Sequence, residues 1–128
     1  MKLAYVDTSC LVAIAFDEPG SHRLARRLEG YDRLLASNLL EAELRSAFVR
    51  EKVDRPAEPL LTWITWVHAD RPLTPEYERI IRAGYIKGAD MWHLAHAIFL
   101  APDGMGLDFM TLDQRQREVA SMLGLGVP

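Results

Sequence analysis

Acidic residues at the ends of two predicted strands are the first candidates for chemistry in this sequence. Asp7 directly follows the apolar run Leu3–Val6. Asp113 follows the apolar run Leu107–Thr111 with one residue between. Ligands of parallel α/β sheets bind at the carboxyl ends of the strands. We therefore expect both carboxylates at one edge of a sheet, facing a crevice.

Two further acids lie beside apolar helix surfaces. Glu43 stands between Leu40 and Leu44 in a predicted helix, and Asp90 stands at the head of a helix with almost no polar face. If all four carboxylates converge, they cannot all stay ionised without cations. Mg²⁺ and Mn²⁺ prefer oxygen ligands and keep water molecules available for chemistry. Convergence of the four acids would therefore favour a divalent metal site.

Helix capping is the structural alternative for two of these acids. Asp113 with Gln116 three residues later is a good capping pair, and Asp90 could be the N-cap of its helix. Periodicity does not select Glu43 as a functional residue, because Glu41 lies about as far from the centre of the apolar stripe. The residue pattern alone leaves both alternatives open.

The elements that must position these acids are short apolar strands alternating with helices. The predicted strands are Leu3–Val6, Leu34–Ala36, a segment near Trp66–His68, and Leu107–Thr111. The predicted helices are Leu11–Phe16, Ser21–Leu28, Leu39–Lys52, a helix from Pro56 that includes Leu60, Leu61, Ile64 and Val67, Glu76–Ile86, Ala89–Ala101, and Asp113–Leu123. This alternation predicts an α/β layered fold with a mainly parallel sheet.

Length and composition favour a single cytoplasmic domain. A chain of 128 residues is expected to form one domain, residues 1–128. The only cysteine, Cys10, cannot close an internal disulfide, which favours a reducing compartment. Asp7 interrupts the apolar N-terminal region, so a signal peptide is not expected. No apolar run approaches the roughly 18 to 20 residues that cross a bilayer.

The net charge of −3 argues at first against a nucleic-acid partner, because phosphate binding depends on Lys and Arg. The chain has 15 basic and 18 acidic residues. Removing the four candidate acids leaves 14 acidic residues (18 − 4), so the rest of the chain is formally +1. The negative charge is therefore concentrated where a cation would bind.

Four short motifs in order along the chain resemble those of PIN-domain ribonucleases, and most closely the VapC toxins of toxin–antitoxin pairs. The motifs are Val6-Asp7-Thr8-Ser9, the segment 37–44, the segment 90–97, and Thr111-Leu112-Asp113. The resemblance implies a three-layer α/β/α domain whose mainly parallel central sheet has about four to five short strands. It also implies a set of metal-binding and catalytic acids that selects Glu43 over Glu41: Asp7, Glu43, Asp90 and Asp113. Ser9 and Thr111 fall at the supporting small polar positions.

The activity that this resemblance implies is a Mg²⁺-dependent (or Mn²⁺-dependent) endoribonuclease. Metal-activated water would cleave structured RNA, either transfer RNA or ribosomal RNA, and leave a 5′-phosphate and a 3′-hydroxyl. The implied partners are a small VapB-like antitoxin and a second copy of the chain. Met91 and Trp92 are larger than the family's usual residues, and His96 stands where Thr or Ala is commoner. These departures concern substrate preference.

Three other interpretations remain. The domain could be a catalytically inactive PIN-like binding module. It could be a phosphoacceptor receiver-type signalling domain, although Asp7 is followed by Thr8 and Ser9 rather than by a second acid. His93 and His96, spaced i, i+3, could also bind zinc with Asp90, although zinc sites usually collect three or four protein N or S ligands.

Overall fold

Four parallel strands form one sheet in the order β3-β2-β1-β4. The computed structural model describes the whole chain, residues 1–128. The strands are β1 (Leu3–Val6), β2 (Arg33–Ser37), β3 (Ile64–Val67) and β4 (Leu107–Met110). Because all pairings are parallel, the carboxyl ends of the four strands lie at one edge of the sheet. This edge is where the sequence predicts the acids.

Seven helices flank the sheet in the predicted three-layer α/β/α arrangement. They are α1 (Thr8–Ala15), α2 (Ser21–Glu29), α3 (Leu39–Arg50), α4 (Glu58–Leu61), α5 (Thr74–Ala83), α6 (Gly88–Leu100) and α7 (Gln114–Met122). Helix α1 packs against α2 and α3, whereas α5 packs against α6 and α7. The longest helix has 13 residues, and none in the molecule is both long and apolar enough to cross a membrane.

The core forms where the sequence is most apolar. Ala4, Tyr5 and Val6 of β1 are fully buried, as expected for a central strand of a parallel sheet covered on both faces. In α6 the six consecutive residues 93–98 are buried, which confirms the predicted central helix. Cys10 is buried in α1, and burial raises the pKa of its thiol to about 12. It is a core residue, as predicted.

The predicted helix from Pro56 is wrong beyond Leu61. Helix α4 ends there, and Ile64 and Val67 lie in β3 instead. Their three-residue spacing also fits a helix, so the apolar positions alone did not distinguish the two structures. Ile64–Val67 forms a strand because its backbone pairs with β2. This strand begins two residues before the one predicted near Trp66–His68.

Two helix boundaries differ from prediction for local reasons. Helix α1 begins at Thr8 rather than Leu11, because the Asp7 carboxylate accepts a hydrogen bond from the backbone N–H of Ser9 and caps the helix. Helix α5 spans Thr74–Ala83 rather than Glu76–Ile86. It ends at Gly84, whose φ of 147° is outside the helical region.

Candidate active site

Asp7 is held at the end of β1 by its backbone and by its side chain. Its N–H donates to the carbonyl of Met110 at 2.9 Å, which joins the ends of β1 and β4. Asp7 is only 5% exposed. Oδ2 accepts from the Ser9 N–H at 3.1 Å, and Oδ1 accepts from Gln116 Nε2 at 3.1 Å. The fold therefore orients this carboxylate without any ligand.

Asp113 occupies the corresponding place after β4. It is the N-cap of α7, and its Oδ1 accepts from the backbone N–H of Gln116 at 2.8 Å. The predicted capping pair is thus confirmed for the Asp113 side chain. The Gln116 side chain does not return to Asp113 as a capping box would require. It donates to Asp7 instead, and it is fully buried.

Thr111 and Ser9 join these two acids. The Thr111 hydroxyl lies 2.6 Å from Gln116 Oε1 and 3.4 Å from Asp7 Oδ2, so its single proton is directed to Gln116. Thr111 Oγ1 also accepts from the Asp113 N–H at 3.1 Å. Ser9 Oγ lies 3.5 Å from Thr111 Oγ1. The two predicted supporting residues therefore stand between β1 and β4, in contact with both acids or their partners.

Glu43 of α3 contacts α1 and α6, whereas its neighbour Glu41, which is similarly half-buried, pairs within its own helix. Glu43 Oε1 accepts from Thr8 Oγ1 at 2.7 Å and from His93 Nε2 at 2.7 Å. Glu41 pairs with Arg45 on the same helix at 2.8 Å. Burial alone would raise the pKa of Glu43, but the hydrogen bonds from His93 and Thr8 outweigh it and lower that pKa. The tertiary contacts thus distinguish the two residues that periodicity left equivalent.

A buried chain of hydrogen bonds leads to Glu43. The Ser37 N–H donates to the Tyr5 hydroxyl at 3.0 Å, and that hydroxyl lies 2.8 Å from His93 Nδ1. If the Tyr5 hydroxyl donates to Nδ1, the Nε2–H of His93 donates to Glu43, and each donor and acceptor in the chain has a hydrogen-bond partner. Burial raises the pKa of Tyr5 well above its ordinary value, so its hydroxyl keeps its proton. His93 and Tyr5 therefore orient Glu43.

Asp90 differs from the other three acids. It lies in the first turn of α6, and the N-cap of that helix is Lys87, so the prediction of Asp90 as N-cap is wrong. Burial raises the pKa of Asp90 to about 6, and the charges of Asp7 and Asp113 add to the shift, with a smaller contribution from Glu43. No hydrogen bond contributes to it. The charges of the other three acids therefore add to the effect of burial on the pKa of Asp90, and the charge of His93 opposes them.

The donor set fits a hard divalent cation. Four carboxylates supply only oxygen ligands, which hard divalent cations prefer. Burial, and after it the charges of Asp7 and Asp113, disfavours the ionised form of Asp90 when no cation is near. In their present rotamers, no three His, Cys, Asp or Glu side chains are arranged to hold a metal ion. Binding a metal at this edge would therefore require the carboxylates to turn toward it.

The structure does not arrange His93, His96 and Asp90, the alternative zinc ligands, around a common point. His93 is hydrogen bonded through both ring nitrogens, to Tyr5 and to Glu43. His96 Nδ1 donates to the carbonyl of Trp92 at 2.8 Å, one helical turn away. Neither ring is directed to Asp90 by these contacts. The interpretation of His93, His96 and Asp90 as a zinc site is therefore wrong.

Comparison with known proteins gives one family and two relatives. The family model described as "PIN domain" matches residues 4–122. "Ribonuclease VapC45" of Mycobacterium tuberculosis (strain CDC 1551 / Oshkosh) is 30% identical over 117 residues, covering 82% of this chain and 81% of that protein. "Ribonuclease VapC49" of Mycobacterium tuberculosis (strain ATCC 25618 / H37Rv) matches with the same identity and coverage.

Proposed function

Because the chain belongs to the PIN-domain family, we propose that it is a Mg²⁺- or Mn²⁺-dependent endoribonuclease and the toxin of a VapBC-like pair. Its proposed substrate is structured RNA, either transfer RNA or ribosomal RNA. The observation that carries the proposal is the placement of Asp7 and Asp113 at the carboxyl ends of β1 and β4, where Gln116 donates a hydrogen bond to each of the two carboxylates. The similarity to two proteins named ribonuclease VapC supports it.

In this proposal, the metal-holding residues are Asp7, Glu43, Asp90 and Asp113. A bound metal would lower the pKa of a water molecule and neutralise charge on the departing oxygen. The protein's own contribution is orientation, since second partners of ligands fix their geometry. Gln116 and Ser9 hold the two oxygens of Asp7, and His93 and Thr8 hold one oxygen of Glu43.

The distribution of charge suits an anionic substrate only when the acids are neutralised. The formal charge of the chain is −3, and the four acids account for −4 of it. The remainder is +1, so two divalent cations would leave a net positive protein. We expect RNA to bind more weakly in EDTA than in Mg²⁺ for this reason.

Purified protein incubated with transfer RNA or ribosomal RNA tests the activity. Cleavage is expected in Mg²⁺ or Mn²⁺ and not in EDTA, with 5′-phosphate ends. Glu43→Gln should remove cleavage, whereas Glu41→Gln, a change of the same chemistry in the same helix, should not. Glu41 is a suitable control because it pairs with Arg45 at the surface.

Two outcomes would contradict this proposal. Cleavage that persists in EDTA, or equal activity of Glu43→Gln and Glu41→Gln, would exclude the metal mechanism. If no RNA is cleaved under any condition, the catalytically inactive binding module becomes the better interpretation.

The proposed partners are a small VapB-like antitoxin and a second copy of the chain. Large apolar side chains are exposed on and beside α5 and α7, where Ile81 is 60% and Tyr85 80% exposed. Exposed apolar surface of this kind favours contact with another protein. Light scattering of the purified chain tests for the dimer. Growth arrest on expression without the antitoxin, absent for Asp7→Asn, tests the toxin role.

A further inference from the structure

A cavity of about 430 Å³ opens at the carboxyl edge of the sheet, on the β2–β3 side. Its walls include Asn38, which follows β2, and His68, which follows β3. Trp92 and His96 of α6 form the facing wall. This volume is within the range of small-ligand sites, roughly 300–1,000 Å³. None of these four residues belongs to the acid cluster or supports it.

Trp92 offers a fixed aromatic surface. Its indole N–H donates to Ser37 Oγ at 2.9 Å, and its ring lies 4.8 Å from the ring of His96, centroid to centroid. It remains 38% exposed although these contacts hold it in place. A large aromatic side chain that is oriented and still open to solvent is suited to stacking on a planar ligand.

Arg71, His96 and Asn38 are the polar residues of the cavity that bear on the chemistry of its ligand. Arg71, the cation in its wall, makes two hydrogen bonds to Glu76, at 2.9 and 2.6 Å. Burial lowers the pKa of His96, which favours the neutral form of its ring. Asn38 makes no capping hydrogen bond with its side chain, although it stands at the N-cap of α3. Such a wall suits a neutral planar group with hydrogen-bonding edges better than a phosphate.

The cavity adjoins the proposed active site through shared elements. Trp92 lies between Asp90 and His93 in α6. Ser37, which orients Trp92 through its hydroxyl, also donates its backbone N–H to Tyr5, the partner of His93. A ligand in the cavity would therefore lie at the same edge of the sheet as Asp7 and Asp113, beyond β2 and β3 rather than beyond the neighbouring β1 and β4.

We propose that this cavity binds one unpaired nucleobase of the RNA substrate, which stacks on Trp92. The side-chain amide of Asn38 would form hydrogen bonds with the edge of the base. The proposal rests on the proposed ribonuclease function and adds to it a determinant of substrate choice. Bases in single-stranded or loop regions of RNA are the ones free to enter such a pocket. The enzyme would thus select a scissile phosphate next to an unstacked base.

Trp92→Leu and Trp63→Leu form a matched pair for the test. Trp63 is also 38% exposed, but it precedes β3 and so lies at the opposite edge of the sheet. Both are made in an Asp7→Asn background, where binding can be measured without cleavage. Fluorescence anisotropy in Mg²⁺ then gives the affinity for single-stranded oligo(A), oligo(C) and oligo(U).

We expect Trp92→Leu to weaken binding by at least roughly fivefold, the loss of one stacked base, and Trp63→Leu to leave it unchanged. Trp92→Phe, which keeps an aromatic face, should retain most of the affinity. Asn38→Ala should reduce the preference among the three bases without changing the thermal stability. Trp92→Phe and Asn38→Ala decide the question if Trp92→Leu fails to fold.

Equal affinities of Trp92→Leu and Trp63→Leu would overturn the proposal. It would also be overturned if Trp92→Leu weakened only the complex with a co-expressed antitoxin, because the cavity would then bind protein. Absence of RNA cleavage by the wild-type protein would count against the ribonuclease function. It would not alter this comparison of affinities, so the two failures are distinguishable.

Discussion

The four acids fall into two pairs that the fold treats differently. Asp7 and Asp113, the strand-end pair, are both N-caps tied to the ends of β1 and β4. Glu43 and Asp90, the helix pair, lie in the second turn of α3 and the first turn of α6. Two side chains, Thr8 and His93, donate hydrogen bonds to Glu43. The pKa of Asp90 is raised by burial and by neighbouring charges alone. The strand-end pair is therefore fixed by helix capping and Glu43 by its two partners, whereas no hydrogen bond contributes to the pKa shift of Asp90.

The largest expected effect is on catalysis, and it is the same for both pairs. Asp7→Asn and Asp90→Asn should each lower the cleavage rate by at least about 100-fold, because a bound metal contributes several kcal/mol of transition-state stabilisation.

The effects of the two substitutions on the free energy of unfolding of the metal-free protein should be opposite in sign. Asp7→Asn should destabilise it by about 1 kcal/mol through weakened hydrogen bonds. Asp90→Asn should stabilise it by removing a repelled charge. Cleavage assays in Mg²⁺ measure the loss of activity, and urea denaturation in EDTA measures the two changes in stability. Destabilisation by both variants would show that the two pairs do not differ.

The next effect concerns the partner of Glu43. His93→Leu removes the donor to Glu43 Oε1, and losses of such partners typically cost about 10–100-fold in metal affinity or activity. We expect the Mg²⁺ concentration for half-maximal cleavage to rise by about that factor. His93→Gln, which keeps a donor, should restore part of it. If His93→Leu lowers stability but not the Mg²⁺ requirement, the role of His93 is only structural.

The partner of Asp7 should affect stability more than metal binding. Gln116→Leu leaves Asp7 Oδ1 and Thr111 Oγ1 without their buried partner, which costs about 1–3 kcal/mol. Gln114→Leu, the same change at an exposed position of α7, should be nearly neutral. Urea denaturation of both variants measures the difference. Equal stabilities would mean that the strand-end pair is oriented by its backbone contacts alone.

The smallest effect is a pH dependence of opposite sign for the two members of the helix pair. A carboxyl whose pKa is raised by folding binds more protons when folded, so its contribution to the free energy of unfolding falls as pH rises. For Asp90 this window runs from 3.8 to about 6. Glu43 has a lowered pKa, so its contribution is lost as pH falls below its ordinary 4.5. Urea denaturation in EDTA of Asp90→Asn and Glu43→Gln, each against wild type, should give opposite slopes. Slopes of the same sign would contradict the assignment.

Prediction from sequence succeeded where local chemistry and tertiary structure agree. The β1 strand, the buried helix α6 and the capping role of Asp113 follow from short runs of residues, and the structure has all three. The helix predicted across Ile64 and Val67 failed, because their spacing satisfies both a helix and a strand. Pairing with β2, a contact between segments 30 residues apart, decided it.

The supporting residues of the site carried little signal in the sequence. Gln116 was expected only as a capping partner, and its side chain reaches Asp7 across 109 positions of the chain. His93 meets Glu43 across 50 positions. No local pattern specifies which residues such distances join, because the strand register and the packing of α3, α6 and α7 bring them together.

The sequence by itself determined the α/β alternation and the acids that close β1 and precede α7, because strand ends and helix caps depend on neighbours along the chain. Only the tertiary structure joined Glu43 to His93 and left Glu41 with Arg45 of its own helix, paired Gln116 with Asp7, and raised the pKa of Asp90 to about 6. These properties arise from burial and from charges on separate elements, and neither exists until the sheet and its helices have assembled.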